Sequence, residues 1–300
     1  MNILLTGASG FIGSALVARL GGEGHELVRL VRAEPKPGEP EIGWDPAAGR
    51  LDAASLEGFD AVVHLAGESI AEGRWTPAKK TRIRDSRVRG TELLARTLAR
   101  LTDRPGVLVS ASAIGFYGDR GDEELDEQSP RGNGFLAEIC RQWEGASRMA
   151  GEAGTRVVQL RIGLVLSPTG GALAKMLPAF RLALGGPLAG GRQYVSWITL
   201  DDLADVVRHV LATDRLQGPV NAVAPQPVTN REFTRALGRA LRRPACVPVP
   251  RFALRALLGE MADELLLAST RVVPRRLLDT GFQFGDPDLQ TALTRLLARA

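Results

Sequence analysis

The chain has 300 residues, a formal net charge of +4 and 44% hydrophobic residues, enough for a large buried core. We expect no membrane helix, because no apolar run approaches the roughly 20 residues that a bilayer requires. We also expect no nucleic-acid partner, because the arginines are scattered without interleaved aromatic residues. The two cysteines, Cys140 and Cys246, form neither a metal-binding spacing nor a disulfide framework, so no metal is predicted.

The first predicted elements are a strand at 2–6, a glycine loop and a helix at 11–22. Gly7, Gly10 and Gly13 are spaced three residues apart between them. In a dinucleotide-binding loop the first glycine makes the tight turn, the second lets backbone approach a pyrophosphate, and the third allows close packing of the helix. The helix N-terminus then offers free N–H groups to the phosphates. The loop therefore predicts a dinucleotide site, with an ordinary glycine-rich turn as the alternative.

The chain thus begins with a structural strand rather than a signal peptide, so we expect a cytoplasmic protein. We expect it to be a monomer or a homodimer that acts on a small-molecule substrate.

The second predicted strand, at 26–31, ends at Arg32. An acidic residue at this place binds the ribose 2′-hydroxyl of NAD, whereas a basic one suits the 2′-phosphate of NADP. Arg32 therefore predicts NADP (NADPH) as the cofactor. A solvated arginine is the alternative, because strand ends are often charged. Residues 41–50 are predicted to form a turn-rich hairpin without a chemical role.

Further strands are predicted near 60–65, 107–111 and 156–160, and helices near 85–102 and 135–152. Such alternation is typical of βαβ units, which build a parallel sheet covered on both faces. The predicted fold class is therefore α/β: a Rossmann doubly wound parallel sheet with helices on both faces and a smaller C-terminal substrate lobe.

The alternation loosens after residue 162. Two glycine-rich loops, at 163–172 and 185–194, flank a predicted helix at 173–183. We therefore expect a nucleotide-binding domain over 1–162, to which later segments are able to return, and a substrate lobe with a helical C-terminal segment over 163–300. The amphipathic helices of that segment, at about 247–295, are predicted to pack against their own domain.

Several of these segments together resemble the extended short-chain dehydrogenase/reductase family, in its NAD-dependent epimerase/dehydratase-like branch. The resemblance rests on the glycine loop with Phe11-Ile12-Gly13 and on residues 60–67, 86–91, 107–118 and 197–204. Residues 110–118 and 134–144 and the tail from about residue 247 resemble an atypical subfamily of nucleoside-diphosphate-sugar epimerases that carries an extra C-terminal segment. Together with Arg32, the resemblance implies cofactor binding by Gly7, Ser9, Gly10, Phe11, Ile12, Gly13, Leu65, Ala66 and Gly67.

The chain departs from that family where proton transfer is usually performed. Family members use a tyrosine and a lysine four residues later, but Tyr117 and Tyr194 are the only tyrosines here and neither has such a lysine. Aligning Glu144 with the glutamate that follows the family motif places Leu136 and Cys140 at the tyrosine and lysine positions. Neither replacement acts at neutral pH as a tyrosine–lysine pair does.

Ser112 and Tyr117 are the catalytic residues that we predict. Ser112 stands at the family's serine position, where it would polarise the reacting oxygen, and Tyr117 or a water would supply the proton. The alternative for Tyr117 is an aromatic ring that stacks on cofactor or substrate. Glu138 and the acidic run at 119–126 offer other titratable groups, although acidic loops are usually just solvated. His64 stands near the end of the predicted strand at 60–65 and is predicted to be packed there, with contact to the cofactor as the alternative.

Two functions remain open from the sequence. The first is an NADP-dependent epimerase or oxidoreductase of atypical mechanism, acting on a nucleotide-sugar-like or other polar hydroxyl or carbonyl substrate. The second is an NADP(H)-binding regulatory or scaffold protein with reduced catalysis. The fold class does not decide between them.

Overall fold

The computed structural model describes residues 1–298. Its strands, in chain order, are β1 Asn2–Thr6, β2 Glu26–Val31, β3 Glu41–Asp45, β4 Arg50–Leu51, β5 Ala61–His64, β6 Val107–Ala113, β7 Glu124–Leu125, β8 Arg156–Ile162, β9 Leu164–Ser167, β10 Tyr194–Val195, β11 Trp197–Thr199, β12 Gly218–Ala222, β13 Val228–Thr229 and β14 Arg271–Val272. The α-helices are α1 Phe11–Gly22, α2 Pro77–Leu98, α3 Phe135–Ala146, α4 Arg148–Glu152, α5 Gly171–Arg181, α6 Leu200–Ala212, α7 Asn230–Leu241, α8 Arg251–Leu258, α9 Arg275–Asp279 and α10 Leu289–Ala298.

Eight of these strands form one sheet in the order β12-β8-β6-β5-β1-β2-β3-β4. The seven strands from β12 to β3 are paired in parallel, which confirms the predicted α/β fold class. The predicted hairpin is present as the antiparallel pair β3–β4, but β3 also extends the main sheet. Strand β12 returns to the sheet from beyond residue 162, with Val220 opposite Leu160.

The strands are apolar on both faces, and alternate residues enter two separate cores. Leu5 of β1 packs with α1 and α6 on one face, whereas Leu4 packs with α2 on the other. Full burial of such a side chain contributes about 1.5–3 kcal/mol. Helices therefore cover both sheet faces, and the carboxyl ends of the strands remain available for a ligand.

Two predicted helix boundaries differ from the structure. Helix α2 begins at Pro77 rather than near residue 85, because the Thr76 side chain caps it by accepting a hydrogen bond from the Lys79 N–H and proline fits the first turn. The predicted helix at 135–152 divides at Ser147 into α3 and α4, where the Ser147 hydroxyl donates to the Glu144 carbonyl.

A third core lies outside the main sheet and joins α5, α7 and α10 through Phe180, Phe233 and Leu293. Short strand pairs, including β9–β11 and β7–β14, connect the later segments to the region around the carboxyl ends of the sheet. Over residues 1–298, none of the helices combines the length and the apolar character needed to span a membrane.

Candidate cofactor site and adjoining polar cluster

The glycine loop connects β1 to α1, and its three glycines meet different constraints. Gly7 has φ +71°, and a Cβ there would lie 3.0 Å from Leu65 C and Ala66 N. A Cβ on Gly13 would lie only 2.1 Å from the Gly7 carbonyl oxygen, so a glycine is needed for helix packing. A Cβ on Gly10 would meet only the Gly7 oxygen, at 3.1 Å. The remaining space beside Gly10 is open.

That open space is a cavity of about 470 Å³, lined by Ser9, Gly10, Phe11, Ser14, Ala15, Thr169, Gly170 and Leu200. No side chain caps the N-terminus of α1, so the first N–H groups of the helix have no side-chain acceptor. A concave wall of glycine backbone with uncapped helical N–H groups and a positive dipole end suits a pyrophosphate. The residues present therefore fit the phosphates of a dinucleotide.

The structure leaves Arg32 exposed immediately after β2. Its side chain makes no hydrogen bond or ion pair with any described residue. Leu65 and Ala66 follow β5, and their N–H groups both donate to Thr6 Oγ1 at 3.1 Å. Gly67 faces the guanidinium of Arg87, 3.4 Å from the place of an added Cβ. Arg32 is thus available to an anion, whereas the amides of residues 65 and 66 are committed to the fold.

His64 is fully buried at the end of β5 and bridges two threonines. Its Nδ1 lies 2.7 Å from Thr6 Oγ1, and its Nε2 lies 2.9 Å from Thr91 Oγ1. Because Thr6 Oγ1 already accepts two backbone N–H groups, its own proton points to Nδ1, which leaves the imidazole proton on Nε2. Burial lowers the pKa of His64 to about 4. His64 is therefore a neutral packed residue rather than a cofactor ligand.

Ser112 is the last residue but one of β6, and its side chain is buried. Its hydroxyl donates to Glu144 Oε1 at 2.7 Å. The same carboxylate accepts two hydrogen bonds from Arg161, from Nε at 2.8 Å and from Nη2 at 2.9 Å. Because a serine has one proton, a Ser112 hydroxyl that donates to Glu144 can only accept from a substrate. The predicted polarising role of Ser112 requires a donor, so this arrangement does not support it.

Tyr117 is fully buried beneath this cluster. Its hydroxyl lies 2.7 Å from Asn221 Oδ1 and 2.9 Å from the Asp126 carbonyl oxygen, and it accepts from Arg161 Nη1 at 3.0 Å. Burial raises the pKa of Tyr117 to about 12. A phenol held this way is neither accessible nor acidic enough to serve readily as the predicted proton donor, and its ring is not exposed for stacking.

Leu136 and Cys140 occupy the predicted tyrosine and lysine positions on α3, and both are buried. A Cβ on Gly115 would lie 3.2 Å from Leu136 Cβ and 4.0 Å from Cys140 Sγ, so these side chains fill the space against the loop after β6. Burial raises the pKa of the Cys140 thiol to about 12. Neither position offers an acid or a base near neutral pH.

The other acidic groups named from the sequence have local partners. Glu138 is bound by Arg131, Arg141 and Gln142, which lowers its pKa to about 2, chiefly through the hydrogen bond from Arg141. Asp119 and Asp126 accept hydrogen bonds from backbone N–H groups of their own loop. These carboxylates bind to groups close to them in the chain, and none contacts Ser112.

Sequence reasoning missed Arg161 and Asn221 as members of the cluster. Arg161 is a charged residue near the end of the predicted strand, which is a signal in the sequence, because a charge that becomes buried there must have a partner. Its guanidinium lies 3.5 Å from the centroid of the Phe116 ring as well as on Glu144. Asn221 had no such signal, since it comes from a strand that was not predicted.

Comparisons with known proteins agree with this architecture. The profile of the "NAD dependent epimerase/dehydratase family" matches residues 3–222, and that of a domain of unknown function, DUF1731, matches residues 249–296. The epimerase family protein Mb2239 of Mycobacterium bovis is 45% identical over 291 residues, covering 97% of this chain and 96% of the relative. Human epimerase family protein SDR39U1 is 38% identical, with 99% and 100% covered.

Two solved structures are similar to this chain over its full length. Human SDR39U1 (isoform 2), crystallised with NADPH, superposes with a TM-score of 0.91 at 37% identity, with all of both chains covered. The nucleoside-diphosphate sugar epimerase from Corynebacterium glutamicum gives a TM-score of 0.81 at 38% identity, covering 100% of this chain and 58% of that one.

Proposed function

The chain belongs to the NAD dependent epimerase/dehydratase family, and from this membership we propose that it is an NADPH-binding enzyme of atypical mechanism. Its substrate carries a hydroxyl or carbonyl group on a nucleotide-sugar-like or other polar molecule. The observation that carries the cofactor assignment is the glycine-walled cavity beside an uncapped helix, with Arg32 exposed after β2. The human relative crystallised with NADPH supports the same cofactor.

In this proposal the N–H groups of Phe11, Ile12 and Gly13 face the pyrophosphate, with Gly7, Ser9 and Gly10 forming the loop around it. Arg32 binds the 2′-phosphate by charge-assisted hydrogen bonds. Residues 65–67 line the path of the nucleotide after β5. When bound, the nicotinamide ring supplies or accepts the hydride.

The cofactor assignment predicts different effects of Arg32→Ala on the two nicotinamide cofactors. Loss of charge-assisted hydrogen bonds on the order of 1–3 kcal/mol weakens NADPH binding roughly tenfold or more. NADH, which lacks the 2′-phosphate, is left nearly unaffected. Calorimetric titration of both cofactors measures this difference, and Lys36→Ala, a charge removal in the same exposed loop, is the control. Equal losses of NADPH and NADH affinity would reject the role of Arg32.

Ser112, Glu144, Arg161 and Tyr117 form one hydrogen-bonded polar cluster. In this cluster we assign Ser112 a different role from the one predicted from the sequence. Its Oγ accepts a hydrogen bond from a substrate hydroxyl while its own O–H donates to Glu144 Oε1. In the direction that oxidises an alcohol, the substrate proton passes to Ser112 Oγ as the Ser112 proton passes to Glu144. Arg161 orients Glu144 through its two hydrogen bonds, and Tyr117 holds Arg161 in place. Tyr117 is thus a structural residue in this proposal.

This relay predicts that Glu144→Gln lowers turnover at least tenfold, because an amide cannot take up the proton as a carboxylate does. Affinity for NADPH stays unchanged, since Glu144 is not among the cofactor residues. Turnover is followed as NADPH oxidation or NADP reduction over a panel of sugar-nucleotide, aldehyde, quinone and alcohol substrates. The matched control is Glu138→Gln, a half-buried glutamate on the same helix that is paired with Arg131 and Arg141. If both variants turn over at the parent rate, the relay is wrong.

The second candidate function is an NADP(H)-binding regulatory or scaffold protein. The burial of Leu136 and Cys140 at the usual tyrosine and lysine positions favours it, because the remaining acid–base groups are weak or tightly paired. The two functions differ in one measurement. Firm NADPH binding without turnover of any substrate in the panel by the parent protein supports the regulatory function and overturns the enzymatic one.

A further inference from the structure

A second cavity, of about 530 Å³, lies at the C-terminal end of α7, away from the glycine loop. We call it the arginine bowl, and it is lined by Arg235, Gly238, Arg239, Arg242, Arg243, Pro244, Ala245 and Cys246. None of these residues lines the cavity beside the glycine loop. Four of its eight lining residues are arginines, and none is acidic.

One counter-charge lies near these arginines, since the pKa of Glu232 is lowered by hydrogen bonds from Thr229 and also by the positive charge of Arg235. Within residues 1–298, no carboxylate lies within ion-pair distance of Arg235, Arg239, Arg242 or Arg243. The acidic residue one turn away, Glu232, directs its carboxylate to the backbone N–H and hydroxyl of Thr229. Arginines spaced four apart on one helix face repel one another.

The backbone of the bowl is fixed in place. Arg242 adopts φ +54°, a left-handed conformation that costs free energy for a residue other than glycine. The following turn folds back on the helix, with the Arg243 N–H donating to the Gly238 carbonyl at 2.9 Å. A Cβ on Gly238 would lie 2.8 Å from Ala245 Cβ. The backbone that carries the arginine side chains is therefore fixed before a ligand binds, so less conformational entropy is lost on binding.

We propose that the arginine bowl binds a small anion that carries two or more phosphate groups. Planar guanidinium groups match phosphate oxygens with paired hydrogen bonds. The C-terminal dipole of α7 opposes an anion with only about half a negative charge, against four positive charges in the wall. The balance favours a multiply charged ligand, and a volume of about 530 Å³ is within the range of small-molecule sites.

Cys246 provides a reporter inside the bowl. Its side chain is exposed, whereas Cys140 is buried, so a neutral alkylating reagent such as iodoacetamide labels Cys246 in the folded protein. Tripolyphosphate is the probe, and the labelled peptide is identified by mass spectrometry. The expected result is a saturable, at least fivefold fall in the alkylation rate of Cys246. Binding of the probe at the glycine loop would not slow this reaction.

Two variants test the assignment to arginine. Arg239→Gln and Arg242→Gly are each expected to raise the tripolyphosphate concentration needed for protection at least tenfold. Arg242→Gly also relieves the left-handed strain and is expected to raise the Tm, so a purely structural role for Arg242 would change stability alone. Arg96→Gln, which removes one exposed charge from α2, is the control and retains parental protection.

Three outcomes would overturn the proposal. The first is an unchanged alkylation rate in the parent protein at saturating tripolyphosphate. The second is equal protection by sodium chloride at matched ionic strength, which would mean screening only. The third is identical protection of the two bowl variants and the Arg96→Gln control.

Discussion

At the residue scale, the carboxyl ends of the central strands hold several buried polar groups, and each is matched to specific partners. Arg161 donates to both carboxylate oxygens of Glu144 through Nε and Nη2 and to the Tyr117 hydroxyl through Nη1. His64 is held between two threonine hydroxyls. Buried charge without such partners would cost several kcal/mol. The titratable side chain of His64 is therefore structural here.

His64 predicts a specific pH dependence of stability. Its pKa is about 4 in the folded protein, lowered by burial, against about 6.5 when unfolded. Between these values the unfolded state binds more protons, so the free energy of unfolding falls as the pH drops below 6.5. At pH 5 the expected loss is about 2 kcal/mol, from 1.36 kcal/mol per pH unit.

Urea unfolding at pH 7 and pH 5 measures this loss, and His64→Gln isolates the contribution of His64. Glutamine keeps a donor and an acceptor but does not titrate, so the variant should lose about 2 kcal/mol less between the two pH values. His209→Gln is the control, since burial also lowers the pKa of His209 but that residue is only partly buried. An equal pH dependence of the parent and His64→Gln would contradict the assignment.

At the element scale, the unit formed by β1, the glycine loop and α1 combines folding and binding in a few residues. Gly13 allows α1 to approach the turn, because any residue with a Cβ at this position would collide with the Gly7 carbonyl. Gly10 leaves space on the outer side of the same turn. The same residue type therefore serves packing at one position and ligand access at the other.

These two glycines predict contrasting variants. Gly10→Val is expected to fold with a near-parental Tm but to lose NADPH binding, because the branched side chain fills the phosphate space. Gly13→Val is expected to unfold or to lose α1 packing, because its Cβ would lie 2.1 Å from the Gly7 oxygen. Thermal unfolding with and without NADPH checks both. A Gly10→Val protein that is still stabilised by NADPH would place the cofactor elsewhere.

At the scale of the whole molecule, the C-terminal segment is joined to the nucleotide-binding part through α3. Glu264, in a π-helical turn at residues 262–267, accepts hydrogen bonds from the N–H groups of Phe135 and Leu136, both at 3.1 Å. A carboxylate at the helix N-terminus also complements the dipole. Lys80 and Glu260 form a second, more exposed link between the two parts.

This link predicts that Glu264→Ala lowers the free energy of unfolding by about 1–2 kcal/mol, the usual effect of removing an N-terminal cap. The matched control is Glu260→Ala, which removes an exposed ion pair expected to contribute less than about 1 kcal/mol. Urea unfolding at neutral pH compares the variants. Equal losses would mean that Glu264 acts only as a surface charge.

The sequence by itself determined the parallel sheet, the glycine loop and the absence of a tyrosine–lysine pair, because these depend on local periodicity and on residue types at fixed spacing. It did not predict β12, where Pro219 and Asn221 interrupt the apolar pattern. Only the tertiary structure brought Ser112, Glu144 and Arg161 together from three separate elements. The direction of the Ser112 hydrogen bond and the burial of Tyr117 depend on neighbours distant in the chain, and local sequence carries no record of such contacts.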